Sequence, residues 1–172
     1  MKKLLISFIS ATLLAGCTGD RGPEGPPGPE GDYIVGQTFE FENINFAYEP
    51  EYNLYSVIVD IPDDIEVLDS DAILVYRLET VPGTNGPIDT YSLIPQDFFL
   101  DQGTIEYVYN HTVNDVELMI DGNFDLSNLS YDFIQNQVFR FVVVPSDFAN
   151  DPNLNLQTYQ DLEATGIDFK SF

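Results

Sequence analysis

Gln137-Val138-Phe139-Arg140-Phe141-Val142-Val143-Val144, closed by Pro145, is the stretch that settles the class of fold. Six of its eight residues are β-branched or aromatic. Such side chains lose rotamer freedom in a helix and pack well on a pleated surface. A run this short and apolar, stopped by a proline that cannot donate to a ladder, reads as a strand buried on both faces.

Outward from it the pattern repeats. Residues 72–79 alternate Leu74, Tyr76 and Leu78 with Ile73 and Val75, apolar on both faces, and read as another central strand. Segment 37–46 carries Phe39 and Phe41 at one parity and Ile44 and Phe46 at the other, which places a bulge near Asn43. Segment 53–61 keeps Tyr55, Val57, Val59 and Ile61 on one face before Pro62 stops it. Segments 88–94, 104–112 and 116–120 complete a set of seven, with Asn114-Asp115 as the turn between the last two. Residues 47–52, the run Pro82-Gly83-Thr84-Asn85-Gly86-Pro87 and residues 122–136 read as loops, the last with room for one helical turn. Residues 156–165 have weak helical spacing (Leu156, Tyr159, Leu162) and a stop at Gly166. Seven short strands with no long helix between them predict an all-β chain, a single antiparallel β-sandwich over 33–172. A barrel is the alternative.

The first 31 residues have another character. Lys2 and Lys3 precede an apolar run over 4–14 that is too short for a membrane span. Leu14-Ala15-Gly16-Cys17 then matches the lipobox, in which small residues fit the signal peptidase and the cysteine thiol receives diacylglycerol. Residues 1–16 are thus expected to be a lipoprotein signal, and Cys17 the lipid-attachment residue. Acyl chains there contribute about 0.8 kcal/mol per buried methylene, so several anchor the chain to a membrane stably. Cys17 is the only cysteine, which leaves no thiol for a disulfide or a thiolate metal site. From Gly19 to Gly31 glycine occupies every third position, with Pro23, Pro26, Pro27 and Pro29 between. This is the period of a collagen strand, and residues 17–32 are expected to form a lipidated, collagen-like tether. As a single polyproline II strand the tether would rise ~3.1 Å per residue and span roughly 45 Å. Too few triplets are present to favour a triple helix, so a monomer is expected, with a trimer through the tether as the alternative.

Loss of the signal leaves Arg21, Arg77, Arg140 and Lys170 against 29 acidic residues, a balance of −25. Such a charge repels polyanions and argues against nucleic acid as a partner. Over the whole chain the composition is otherwise that of a folded protein, 44% hydrophobic with 13 Phe and 10 Tyr, and the residues after the tether are enough for one core. Arg77 and Arg140 each interrupt an apolar strand. With carboxylates in such excess, each is expected to pair with an Asp or Glu while its stem covers sheet surface.

Few residues point to chemistry. His111 is the only histidine, so a histidine-rich metal site is excluded, and no Gly-x-Ser-x-Gly elbow presents a serine to it. No glycine-rich phosphate loop follows a strand. Asp121, Asn123, Asp125, Ser127 and Asp132 fall at calcium-loop positions, but Leu126 stands where the sharp turn needs glycine and Asp132 replaces the bidentate glutamate. The competing reading is a polar loop that uses Asp and Asn for turns. Tryptophan is absent; Tyr48 and Tyr52 could stack a sugar or simply pack against the sandwich end. The expectation is therefore no catalytic residues, no metal site and no cofactor.

The lipobox, the Gly-Pro-Glu-Gly-Pro-Pro run behind it and an acidic β-rich domain together resemble the small collagen-like lipoproteins of Gram-negative bacteria. Val75-Tyr76-Arg77-Leu78-Glu79, Asp121-Gly122-Asn123-Phe124-Asp125-Leu126 and Val142-Val143-Val144-Pro145 are similar to segments of that group. The resemblance implies an envelope lipoprotein, which gives a location and no mechanism. The expected role is that of a lipid-anchored, non-enzymatic outer-membrane protein, structural or adhesive, facing the cell surface or the periplasm. The alternative is a ligand-binding module for a cation or glycan.

Overall fold

The computed structural model describes residues 35–171. The signal, Cys17 and the tether lie outside them. In chain order the strands are β1 (Val35–Ile44), β2 (Ala47–Glu49), β3 (Leu54–Asp60), β4 (Asp71–Gly83), β5 (Gly86–Leu93), β6 (Gln96–Leu100), β7 (Gly103–His111), β8 (Asp115–Gly122), β9 (Gln137–Pro145) and β10 (Asp168–Ser171). Three short helices, α1 (Tyr131–Ile134), α2 (Ser146–Ala149) and α3 (Tyr159–Ala164), and a 3-10 turn at Leu126–Asn128 complete the described elements.

The strands form two five-stranded sheets packed together as an all-β sandwich, as the alternating pattern predicts. The first sheet has the order β10-β1-β9-β4-β5 and the second β2-β3-β8-β7-β6. The apolar run over 137–144 is the middle strand of the first sheet, flanked by β1 and β4. The bulge falls where parity changes: the β1–β9 register shifts between Phe41 and Ile44, and Asn43 takes a φ of 59°.

Three strands go beyond the seven expected. β2 lies in the expected loop over 47–52 and pairs with β3; its three residues are too few to show a period. β6 alternates correctly, with Gln96, Phe98 and Leu100 turned inward, but it is only five residues long. β10 pairs with β1 in parallel, so the sandwich is not purely antiparallel. The expected loop over 82–87 is instead the end of a hairpin, with Pro82 opposite Pro87 and Gly83 opposite Gly86 around a two-residue turn. Rungs alternate along an antiparallel ladder, so with Gly83 and Gly86 closing the turn, the prolines fall where an N–H would point outward. Their missing donors break no rung there.

Between the sheets lies an aromatic core. Phe39 and Phe141 stack with ring centroids 5.0 Å apart, and Phe46 and Phe139 meet edge to face at 6.1 Å. Ile73, Val75, Ile105, Tyr107, Leu118 and Ile120 fill the rest. Burying each such side chain is worth roughly 1.5–3 kcal/mol. A second apolar layer covers the outside of the first sheet. There Leu74, Tyr76, Val142 and Val144 pack under Leu156, Tyr159 and Leu162 of α3 and the segment before it. Thr158 and Asp161 cap α3 reciprocally, and the Tyr76 hydroxyl donates to the Leu156 carbonyl at 3.0 Å.

Candidate interaction face

No layer of that kind covers the second sheet. Alternation along its strands sends Tyr55, Val59, Val116, Leu118, Ile120, Ile105 and Tyr107 into the core. It sends Ile58, Met119, Val108 and Phe99 outward, together with Asp60, Asp115, Glu117, Asp121, Glu106 and Asp97. Register fixes how these meet. Glu106 stands opposite both Asp97 and Asp121, so three carboxylates form one row across β6, β7 and β8. Asp60 stands opposite Asp115 in a second like-charged pair. Between the two rows, Met119 lies beside Val108 and Ser56, and Ile58 is 64% exposed. Opposed like charges cost about 0.2–1 kcal/mol per pair. No lysine or arginine occurs in any strand of this sheet to offset them.

The row of three borders a depression of about 270 Å³ lined also by Thr104, Ile105, Gly122 and Asn123. Gly103 has a φ of +152°, and a Cβ there would stand 2.1 Å from the Asn123 Oδ1, which accepts from the Thr104 N–H. Glycine thus lets the β6–β7 hairpin close against Asn123. A larger cleft of about 470 Å³ lies beside it, lined by Phe99, Leu100, Asp101, Gln102, Asn128, Leu129, Ser130 and Phe133. Phe99 is 83% exposed.

The calcium-like positions are not brought together around one point. Asp121 accepts from the Gly122 N–H, Asn123 holds Thr104, and Asp125 caps the 3-10 turn through the Ser127 N–H. That last hydrogen bond holds the Asp125 carboxyl below the usual range. Asp132 lies in the first turn of α1, against Ser130. Among the described residues, no group of three or more His, Asp or Glu side chains is arranged to hold a metal ion. His111 is exposed at the end of β7. Tyr48 packs on Tyr55 at 5.0 Å and donates to Asn53, whereas Tyr52 is exposed.

The two arginines part company. Arg140 bridges Glu40 at 2.8 Å, as expected, and its guanidinium lies 3.9 Å from the centroid of Tyr91 and 4.4 Å from that of Tyr159. Arg77 corrects the expectation. It is buried on the inner side of β4, and its Nε and Nη2 donate to the Gln137 Oε1 at 3.0 and 2.8 Å. Among the described residues it has no carboxylate partner. The rings of Tyr107 and Phe98 lie 4.6 and 5.2 Å away and present their negative faces to the charge. The Gln137 Nε2 in turn donates to the carbonyls of Asp132 and Gln135. A buried carboxylate would have added its own desolvation cost; the amide takes two of the arginine's donors and fastens α1 and its end with one side chain. Burial pushes the Tyr107 phenol up to about 12, and Arg77 opposes the rise. Gln137 gave no warning of this role in the sequence, where it stands as the polar end of an apolar run.

No family model matches this chain, and neither a curated protein nor a solved structure is similar to it.

Proposed function

We propose that this is a lipid-anchored protein of the bacterial outer membrane, carrying its sandwich on a spacer for a structural or adhesive, non-enzymatic role. The observation that carries the reading is the open outer face of the second sheet, which is acidic and uncovered while its counterpart is buried. A domain held clear of a surface to meet a partner would present such a face. The Leu14-Ala15-Gly16-Cys17 motif and the glycine triplets support the anchor and the spacer. The anchor is tested by feeding labelled palmitate to cells that express wild type or Cys17→Ala. Label in the wild type alone is the expected result, and label in the variant would defeat the reading.

A second reading, a glycan-binding module, draws on the cleft beside Phe99. An exposed aromatic ring next to Asp101, Gln102 and Asn128 combines a stacking surface with hydrogen-bonding groups for hydroxyls. Calorimetric titration with neutral oligosaccharides, on wild type and Phe99→Ala, tests it. Heat that survives the substitution would place the sugar elsewhere.

A further inference from the structure

We infer that the outer face of the second sheet docks a basic protein partner, one whose lysine or arginine side chains frame an apolar strip. This deepens the adhesive reading and rests on it. Two features of the face fit such an occupant together. The Asp97–Glu106–Asp121 row and the Asp60–Asp115 pair keep like charges opposed with no cation in the sheet to relieve them. A basic partner supplies the missing counter-charge, lowers the repulsion when it binds, and gains association rate from the field. Between the charges, exposed Ile58 and half-buried Met119 and Val108 offer an apolar strip in the middle of the face, broken by Glu117 opposite Ile58. Apolar centre and charged margin are the layout of a protein interface. A free divalent cation would use the carboxylates and leave the strip idle. Nucleic acid and anionic lipid are repelled by the same charges.

The test uses the full chain, lipidated and held in neutral detergent micelles. Two fluorescent synthetic peptides serve as probes: one alternating lysine and leucine, and an oligolysine of equal charge. Asp97→Asn, Glu106→Gln and Asp121→Asn are combined in a face variant. Asp63→Asn, Asp64→Asn and Asp69→Asn, all exposed and outside the strands, form a control of equal charge change. The face variant is expected to weaken the lysine–leucine peptide about tenfold more than the control does. Ile58→Ser with Met119→Ser is expected to weaken that peptide and spare oligolysine. Equal losses in face and control variants would reduce the effect to overall charge and overturn the inference. So would calcium that binds wild type but not the face variant and displaces the peptide. A chain that takes no palmitate yet binds as described loses the anchor and keeps this face.

Discussion

On the outside of the first sheet, Leu74, Tyr76, Val142 and Val144 lie beneath α3 and its neighbouring segment; on the second, exposed Ile58 and half-buried Val108 and Met119 point outward among carboxylates. Both faces come from strands of the same alternating kind. What separates them is the identity of the outward residues and the chain that follows. β9 is apolar on both sides, so it needs a cover, and the residues after Pro145 turn back at once to supply it. β7 and β8 place Glu106, Glu117 and Asp121 outward, and a cover there would strand them away from water. One outer face therefore adds to the buried core, and the other keeps its charges in water.

Substitutions can break or sharpen that contrast. Leu162 is fully buried in the cover, and Leu162→Ala should cost about 2–5 kcal/mol in urea unfolding. Ile58→Ala on the open face should stay within about 0.5 kcal/mol. Similar losses at both sites would erase the distinction.

Alkaline titration is the next largest effect. Burial raises Tyr107 from 10.0 to about 12, and burial also raises Tyr76 beneath the cover. Below pH 10 the unfolded chain keeps these protons too, and stability is complete. Above it the unfolded chain releases protons that the folded one retains, so stability falls by about 1.4 kcal/mol per pH unit for each such tyrosine until the folded group ionises. Circular dichroism across pH 9–12 should show the domain weakening in this window. A flat profile would mean that the phenols are not held as described.

Arg77→Ala should follow, at about 1–3 kcal/mol, because it leaves the Gln137 Oε1 buried without its donor. Arg140→Ala, on the covered side and partly exposed, should cost about 1 kcal/mol or less for its ion pair. The reverse order would overturn the assignment of the inner arginine. Smallest and opposite in sign, Glu106→Gln should stabilise the domain by about 0.2–1 kcal/mol, since it removes charge opposed on both sides. That gain should shrink in high salt. A loss of stability would mean that the row is not repulsive.

Much of this fold is legible in the sequence. Period-two alternation marks the long strands, and the change of parity between Phe41 and Ile44 marks the bulge. β2 and β10 escape because three or four residues cannot show a period, and they become strands only through the neighbours they meet. The hairpin around Thr84-Asn85 escapes for another reason. Pro82 and Pro87 look like breakers until pairing shows that they face each other at the outward positions. The acidic face was legible only as composition. Charge counts give 29 acids, but they do not say that Asp97, Glu106 and Asp121 share one row; register across three strands decides that. Excess carboxylate also misleads at Arg77, where the inner side of β4 admits an amide and two rings instead.

β1 is gripped along both edges, by β10 running the same way and by β9 running the opposite way. Tension entering the domain at Val35 along the strand would load the rungs of both ladders at once. They would resist in shear, and none would part until many were strained together. A pull across the strand would instead open them singly, like a zip. Two ladders of opposite sense thus share any end-on load on the first strand.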